Sequence, residues 1–201
     1  MIDASLIPLQ RRCLTLPARA LVRVGVVANQ VTLVGFCIGV LALPALVFGQ
    51  FWLALLAIVV NRILDGLDGA VAQLTQPTDR GAFMDIVLDF VFYALVPLGF
   101  ALAEPAVNAL PAAVLIAAFV GTGSSFLAFS VIAEQRGMRP EAYPAKGIYY
   151  LGGLTEGAET IGFFVAMCVF PQAFAPLAYL FAAACAVTTM TRWRHGWRAF
   201  E

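Results

Sequence analysis

The residues most able to do chemistry are four aspartates, which lie in stretches that otherwise read as membrane-spanning: Asp65, Asp68, Asp85 and Asp89. Each pair shares one helix face, because the spacings are i, i+3 and i, i+4. An ionisable group inside a span is costly and is functional by default. Protonation or bound cations would relieve the repulsion, and hard divalent cations take carboxylate and phosphate oxygens. The pattern favours a metal site, and two ions about 4 Å apart would suit phosphoryl displacement.

A structural Asp–Arg network is the main alternative to a metal site. Arg62 precedes Asp65 by three residues and could pair with it, and Arg80 lies in the following loop. Two arginines cannot balance four aspartates, so the metal site remains the favoured interpretation. A relay for protons or other ions is a third interpretation.

The composition places these aspartates in a membrane protein. Of 201 residues, 62% are hydrophobic and 12% are charged, whereas a soluble domain carries about twice that charged fraction. The ranges 24–61, 105–133 and 160–191 contain no charge, and a helix needs about 20 apolar residues to cross a bilayer. We predict an all-α integral membrane protein formed by one domain over residues 1–201. The formal net charge is zero, and we expect no nucleic-acid partner.

The hydrophobic pattern predicts an N-terminal amphipathic interfacial helix followed by six transmembrane helices. Leucines and arginines interleave in the first helix, as in helices that lie on anionic lipid. The interfacial helix covers residues 4–25, and the spans cover approximately 30–48, 52–73, 82–103, 107–133, 148–170 and 174–191.

The basic residues predict the orientation of the spans. Arginine and lysine flank the N-terminus and alternate connections, while the opposite connections carry only Glu104. The positive-inside rule therefore places both termini in the cytoplasm. At 1.5 Å per residue, Asp65 and Asp89 both lie ~12 Å inside the cytoplasmic helix ends, and Asp68 and Asp85 lie ~8 Å and ~6 Å inside. The four carboxylates then reach similar depths on neighbouring antiparallel helices.

At these residues the chain resembles the CDP-alcohol phosphotransferase (CDP-alcohol phosphatidyltransferase) family. The family pattern is D-x-x-D-G-x-x-A-R, a short loop, and then G-x-x-x-D-x-x-x-D. The chain departs from it at Gln73, which stands where the family has arginine, and in a loop that is shorter by a residue. Arg80 could compensate for the missing charge from the same loop. The residues that match are Asp65, Asp68, Gly69, Ala72, Gly81, Asp85 and Asp89.

The resemblance implies a reaction in which an alcohol attacks the lipid-bearing phosphorus of a CDP-linked donor such as CDP-diacylglycerol, and CMP leaves. It implies Mg²⁺ or Mn²⁺, as two ions, on Asp65, Asp68 and Asp85, with Asp89 as the general base and either a further ligand of the second ion or free of it. It also implies a homodimer in a bacterial inner or plasma membrane with a cytoplasmic active site. The nucleotide and diphosphate would be bound by Asp65, Gly69, Gln73, Arg80 and Gly81.

Other polar residues are candidates for binding the acceptor. Arg136, Arg139 and Lys146 would hold the phosphate of an alcohol phosphate, or would only set the topology. Glu156 and Glu159 would form an acceptor or nucleotide wall, or would pair with Arg62 or a subunit partner.

The motif does not choose between glycerol 3-phosphate, serine, an inositol phosphate and other alcohols as the acceptor. Two further functions stay open at this stage. One is a non-catalytic or weakened family member that binds a CDP-lipid, for which Gln73 is the hint. The other is a small cation-coupled transporter.

Overall fold

The computed structural model describes residues 2–138 and 153–201, and their side chains from residue 13 onwards. Every regular element in these two ranges is a helix, which confirms the all-helical class. The elements are α1 (Ile2–Arg23), α2 (Ala28–Val40), α3 (Ala42–Val47), α4 (Phe51–Leu74), α5 (Asp79–Ala103), α6 (Pro105–Gln135), α7 (Gly157–Val169), a 3₁₀ turn (Pro171–Ala173) and α8 (Phe174–Ala199).

Four helical stretches among the described residues are long and apolar enough to cross a membrane. The α4 helix has 24 residues but carries Arg62, Asp65 and Asp68, and α7 has only 13 residues. Six crossings and a surface position for α1 therefore stay predictions. The four stretches are Ala28–Val47, Asp79–Ala103, Pro105–Gln135 and Pro171–Ala199.

The first predicted span, 30–48, is not one continuous helix. It divides at Leu41 into α2 and α3. Pro44 has no backbone N–H to donate to the carbonyl of Val40, and its ring would clash with that carbonyl in a regular helix. Pro44 thus interrupts the helix within a continuous run of apolar residues.

Two other predicted boundaries differ from the structure. The span predicted at 148–170 was wrong at its start: residues 153–156 are not helical and α7 begins at Gly157, while 148–152 lie outside the described residues. The last helix continues past residue 191 to Ala199, because loss of apolar character marks the edge of a bilayer and does not stop a helix.

The α4 helix is in contact with α1, α2, α3 and α7. Small residues allow α2 to approach it closely. A Cβ at Gly39 would lie 2.9 Å from Asn61 Nδ2, and one at Gly35 would lie 3.0 Å from Leu64 Cβ. This close packing determines the position of α2 relative to α4.

The α5 helix begins immediately after a short turn from α4. The hydroxyl of Thr78 accepts a hydrogen bond of 3.1 Å from the N–H of Gly81 and caps the helix. This turn, residues 75–78, joins α4 to α5, and α2 packs against both helices.

Candidate active site between α2, α4 and α5

One pocket between α2, α4 and α5 brings the four predicted aspartates together. The helix spacing that places Asp65 with Asp68, and Asp85 with Asp89, is the reason that both pairs point to it. The pocket is lined by Thr32, Gly35, Phe36, Asn61, Arg62, Asp65, Asp68, Asp85, Leu88 and Asp89.

Arg62 is the cation of this pocket. Its Nη2 donates a hydrogen bond of 2.6 Å to Asp89 Oδ1, and its Nη1 lies 3.5 Å from Asp65 Oδ2. The Arg62 side chain is only 16% exposed, so water screens these ion pairs weakly. The sequence predicts that Arg62 could pair with Asp65 as part of a structural network. It does not predict the pairing with Asp89, which lies on a different helix.

The guanidinium of Arg62 is held on several sides. Its Nε donates to Asn61 Oδ1 at 2.8 Å, and Asn61 Nδ2 in turn donates to the Gly35 carbonyl oxygen at 2.9 Å. The rings of Phe92 and Tyr93 lie 5.0 Å and 5.5 Å from the guanidinium carbon. Cation–π contacts at these distances favour the charge in a poorly solvated place.

Asp68 is a buried carboxylate of the pocket, and one of its two oxygens lacks a hydrogen bond among the described residues. The residue is 6% exposed, and within the described part of the chain its Oδ2 has no hydrogen-bond partner. A buried carboxylate oxygen without a donor costs free energy. The atom is therefore a suitable place for a cation or a ligand donor.

The donor set fits a divalent cation in its chemistry, although the side chains do not form a closed ligand cage. Within residues 2–138 and 153–201, no three or more His, Cys, Asp or Glu side chains gather closely enough to hold a metal as they stand. Two of the four pocket carboxylates, Asp65 and Asp89, lie against Arg62 instead. Carboxylate oxygens are the ligands that Mg²⁺ and Mn²⁺ prefer, and Asp68 Oδ2 has capacity to spare.

The two motif glycines have different surroundings. A Cβ at Gly69 would meet no atom within 4 Å, so this part of α4 is open to a ligand. A Cβ at Gly81 would lie 2.8 Å from Asn29 Oδ1 and 3.1 Å from Thr78 Oγ1. A larger residue at position 81 would therefore displace the side chains of Asn29 and Thr78.

Gln73 and Arg80, the predicted diphosphate residues, are both exposed near the α4–α5 turn and do not line the pocket. They flank the turn from its two sides, since Gln73 is in the last turn of α4 and Arg80 is in the first turn of α5. Contact with a diphosphate at the pocket mouth stays a prediction.

The acceptor candidates that the structure describes have local roles and do not line the pocket. Arg136 Nη2 donates to the carbonyl oxygen of Phe200 at 2.5 Å and lies over the Phe200 ring. Glu156 and Glu159 cap α7, because Glu159 Oε2 accepts from the Glu156 N–H at 3.2 Å. Arg139 and Lys146 lie outside the described residues.

Two polar residues escaped the sequence reasoning. Asn61 anchors Arg62, and its only signal was a polar side chain in an apolar run beside that arginine. Arg192 directly follows the last predicted span, 174–191, where an exposed basic residue is expected, but it is 8% exposed and donates to the Thr122 carbonyl oxygen at 3.0 Å.

Comparison with known proteins gives a consistent set of relatives. The family model described as CDP-alcohol phosphatidyltransferase matches residues 25–192. The chain is 52% identical to the inner membrane protein YnjF of Escherichia coli K12, over 96% of this chain and 93% of the relative. It is 34% identical to the archaetidylinositol phosphate synthase of Pyrococcus horikoshii, over 42% of this chain and 45% of the relative.

The fold is also similar to solved structures of the phosphatidylinositol phosphate synthase PgsA1 of Mycobacterium tuberculosis. The structure with CDP-DAG bound has a TM-score of 0.74 at 22% identity and covers 92% of this chain and 94% of that one. The structure with manganese and citrate has a TM-score of 0.71 at 23% identity, covering 91% and 88%. At this identity the likeness concerns the fold.

Proposed function

Because the chain belongs to the CDP-alcohol phosphatidyltransferase family, we propose that it transfers a phosphatidyl group from a CDP-linked lipid to an alcohol and releases CMP. The observation that carries this proposal is the single pocket lined by Asp65, Asp68, Asp85 and Asp89. Phosphoryl transfer needs charge stabilisation and positioning more than covalent chemistry from the protein. Converging carboxylates at a membrane interface suit a donor that is part lipid and part nucleotide.

The proposed donor is CDP-diacylglycerol. Its acyl chains belong in the bilayer beside the apolar helix faces, while its cytidine diphosphate reaches the open surface at Gly69. The bound CDP-DAG named for the solved PgsA1 structure supports this choice. We propose an integral inner-membrane location, which four apolar helices and the YnjF relative support, with termini and site on the cytoplasmic side and a homodimeric assembly.

The proposed metal ligands are Asp65, Asp68, Asp85 and Asp89, with Mg²⁺ or Mn²⁺ as two ions. A bound cation would supply neutralisation of the charge that develops on the diphosphate as CMP leaves. The manganese named for the second PgsA1 structure supports this assignment. Arg62, itself bonded to Asn61, keeps Asp89 oriented in the pocket before substrate arrives.

Asp89 is the proposed general base. Its side chain is 29% exposed and lies in the pocket wall, so an acceptor hydroxyl can reach it. Arg62 occupies a hydrogen-bonding position on Oδ1, and an ionised carboxylate has further acceptor sites. Asp89 then takes the hydroxyl proton while the acceptor oxygen bonds to the lipid-bearing phosphorus, and the bond from that phosphorus to the bridging oxygen breaks as CMP leaves with the electron pair.

The proposed acceptor class is an alcohol phosphate, and an inositol phosphate is the first member to test. Two relatives support this choice by their names, which are those of inositol phosphate lipid synthases. Arg136 would have to leave the carbonyl of Phe200 to hold the acceptor's phosphate. Arg139 and Lys146 remain proposed partners for the same phosphate.

The test is CMP release by the purified protein in detergent with CDP-diacylglycerol, Mg²⁺ or Mn²⁺, and each acceptor in turn. We expect release with one acceptor, loss with a chelator, and a decrease of about 10²–10⁴-fold in Asp89→Asn, as for removal of a general base. Glu104→Gln is the matched control, because Glu104 is an exposed acidic residue at the N-cap position of α6, its side chain makes no capping hydrogen bond there, and it does not line the pocket.

The outcomes separate the functions that remain. CMP release that survives a chelator would contradict the metal assignment. Nucleotide binding without release for any acceptor would favour a CDP-lipid-binding protein disabled at Gln73. Absence of both nucleotide binding and release would overturn the proposed function.

A further inference from the structure

We infer that Arg62 is a built-in counter-ion of the aspartate pocket, which positions Asp89 and competes with divalent cations for the negative charge of Asp65 and Asp89. The inference rests on the proposed function for the statement that cations enter this pocket. It adds a residue outside the family motif to the residues that determine how the pocket works.

The first support is the geometry of the two ion pairs. One guanidinium nitrogen is 2.6 Å from Asp89 Oδ1 and the other is 3.5 Å from Asp65 Oδ2. Arg62 therefore bridges the two helices that carry the carboxylates, α4 and α5. A cation that used both aspartates would have to share them with this guanidinium or displace it.

The second support is that Arg62 is fixed rather than free to leave. Its Nε is hydrogen-bonded to Asn61 Oδ1, and Asn61 is itself bound to the Gly35 carbonyl oxygen on α2. Phe92 and Tyr93 enclose the guanidinium. A planar guanidinium with this many fixed contacts loses little freedom when it orients a carboxylate.

The third support is charge. Four carboxylates in one partly buried pocket repel one another, and Arg62 supplies a positive charge without any bound ion. Removing that charge makes the metal-free pocket less stable and leaves more negative charge for a cation. Loss of Arg62 should thus weaken the fold and strengthen metal binding at the same time, which loss of an ordinary packing residue does not do.

Arg62→Met tests the charge, because Met retains apolar contact with Phe92 and Tyr93 but has no charge. We expect its melting temperature without metal to fall and its affinity for Mn²⁺ to rise on the order of ten-fold, the size expected for directly coupled groups. The measurements are thermal unfolding with and without Mn²⁺ and electron paramagnetic resonance of free Mn²⁺, on the full chain in detergent.

Arg62→Lys tests the positioning separately. Lysine keeps the positive charge but lacks the planar fork that reaches Asn61, Asp65 and Asp89 together. We expect Mn²⁺ affinity within about two-fold of the unmodified protein, and kcat for CMP release to fall by more than about ten-fold because Asp89 is no longer held. This variant also keeps the inference testable if the Met variant does not fold.

Arg192→Met is the matched control. Arg192 is likewise buried, donates to the Thr122 carbonyl oxygen at 3.0 Å and lies 5.7 Å from the Phe126 ring. It does not line the aspartate pocket. Its replacement should lower the melting temperature and leave Mn²⁺ affinity unchanged.

The results distinguish this inference from the function on which it rests. Mn²⁺ uptake by the unmodified protein with equal or weaker uptake by Arg62→Met overturns the inference alone. Full kcat in Arg62→Lys overturns its positioning part. No Mn²⁺ uptake by any variant overturns the inference together with the proposed metal site.

Discussion

The side chain of Asn61 on α4 donates a hydrogen bond of 2.9 Å to the carbonyl oxygen of Gly35 on α2. The same side chain accepts from Arg62 Nε. One buried amide therefore joins the packing of two helices to the orientation of the arginine that contacts Asp89. Stability and activity should respond together when this amide is removed.

Asn61→Ala should lower both the stability of the protein and its rate of CMP release. Loss of a buried hydrogen-bonding residue costs about 1–3 kcal/mol of unfolding free energy, and Arg62 loses the group that fixes its Nε. Asn108→Ala is the control, because Asn108 is buried to a similar degree, 6% exposed against 4% for Asn61, and donates to a helix carbonyl, that of Phe100, at 3.2 Å. Melting temperature and CMP release are measured for both. Equal loss of release in the two variants would show that the Asn61 effect is only structural.

Gly39→Ala should destabilise the contact between α2 and α4. A Cβ there would lie 2.9 Å from Asn61 Nδ2 and 3.0 Å from Phe92 Cδ2, and overpacking of a core costs typically about 1–3 kcal/mol. Gly162→Ala on α7 is the control, since its Cβ meets nothing within 4 Å. Thermal unfolding in detergent measures both, and a neutral Gly39→Ala would contradict the close approach of the helices.

Substitutions of the two motif glycines should affect different properties, namely donor affinity for Gly69 and melting temperature for Gly81. Gly69→Ala places a methyl group in open space, so the fold should be retained while affinity for CDP-diacylglycerol falls, if the nucleotide lies against this helix. Gly81→Ala should instead lower the melting temperature, because its Cβ would lie 2.8 Å from Asn29 Oδ1. Unchanged donor affinity in Gly69→Ala would place the nucleotide elsewhere.

Gln73→Arg should strengthen binding of the donor. The substitution restores the charge of the family motif at the exposed end of α4, and charge-assisted hydrogen bonds to phosphate are roughly twice as strong as neutral ones. We expect a lower KM for CDP-diacylglycerol, with the gain diminishing at high salt. Gln135→Arg, which adds the same charge at the end of α6, is the control and should leave KM unchanged.

The helix pattern and the aspartates were predictable because each rests on local spacing. The prediction of 52–73 for α4 agrees closely with Phe51–Leu74, and the i, i+3 and i, i+4 aspartates do line one pocket. The family match confirms the resemblance drawn from the same residues. Sequence periodicity is sufficient to predict a feature that depends only on which face of one helix a residue occupies.

The features that escaped prediction depend on contacts between distant parts of the chain. The Arg62–Asp89 pair joins residues on two helices, and the burial of Arg192 depends on the packing of α8 against α6. The break at Leu41 depends on a proline within an apolar run. The late start of α7 at Gly157 depends on a cap formed by Glu156 and Glu159. The hydropathy of the segment does not indicate such a cap.

The unpartnered oxygen of Asp68 bears on how this protein can be engineered. A buried carboxylate oxygen that lacks a donor makes the metal-free protein less stable than its fold allows, and activity commonly carries such a cost. Directed selection for heat resistance alone should therefore enrich replacements at position 68, and those thermostable clones should be inactive. A selection that also demands product formation should leave Asp68 intact and find its gains elsewhere in the bundle.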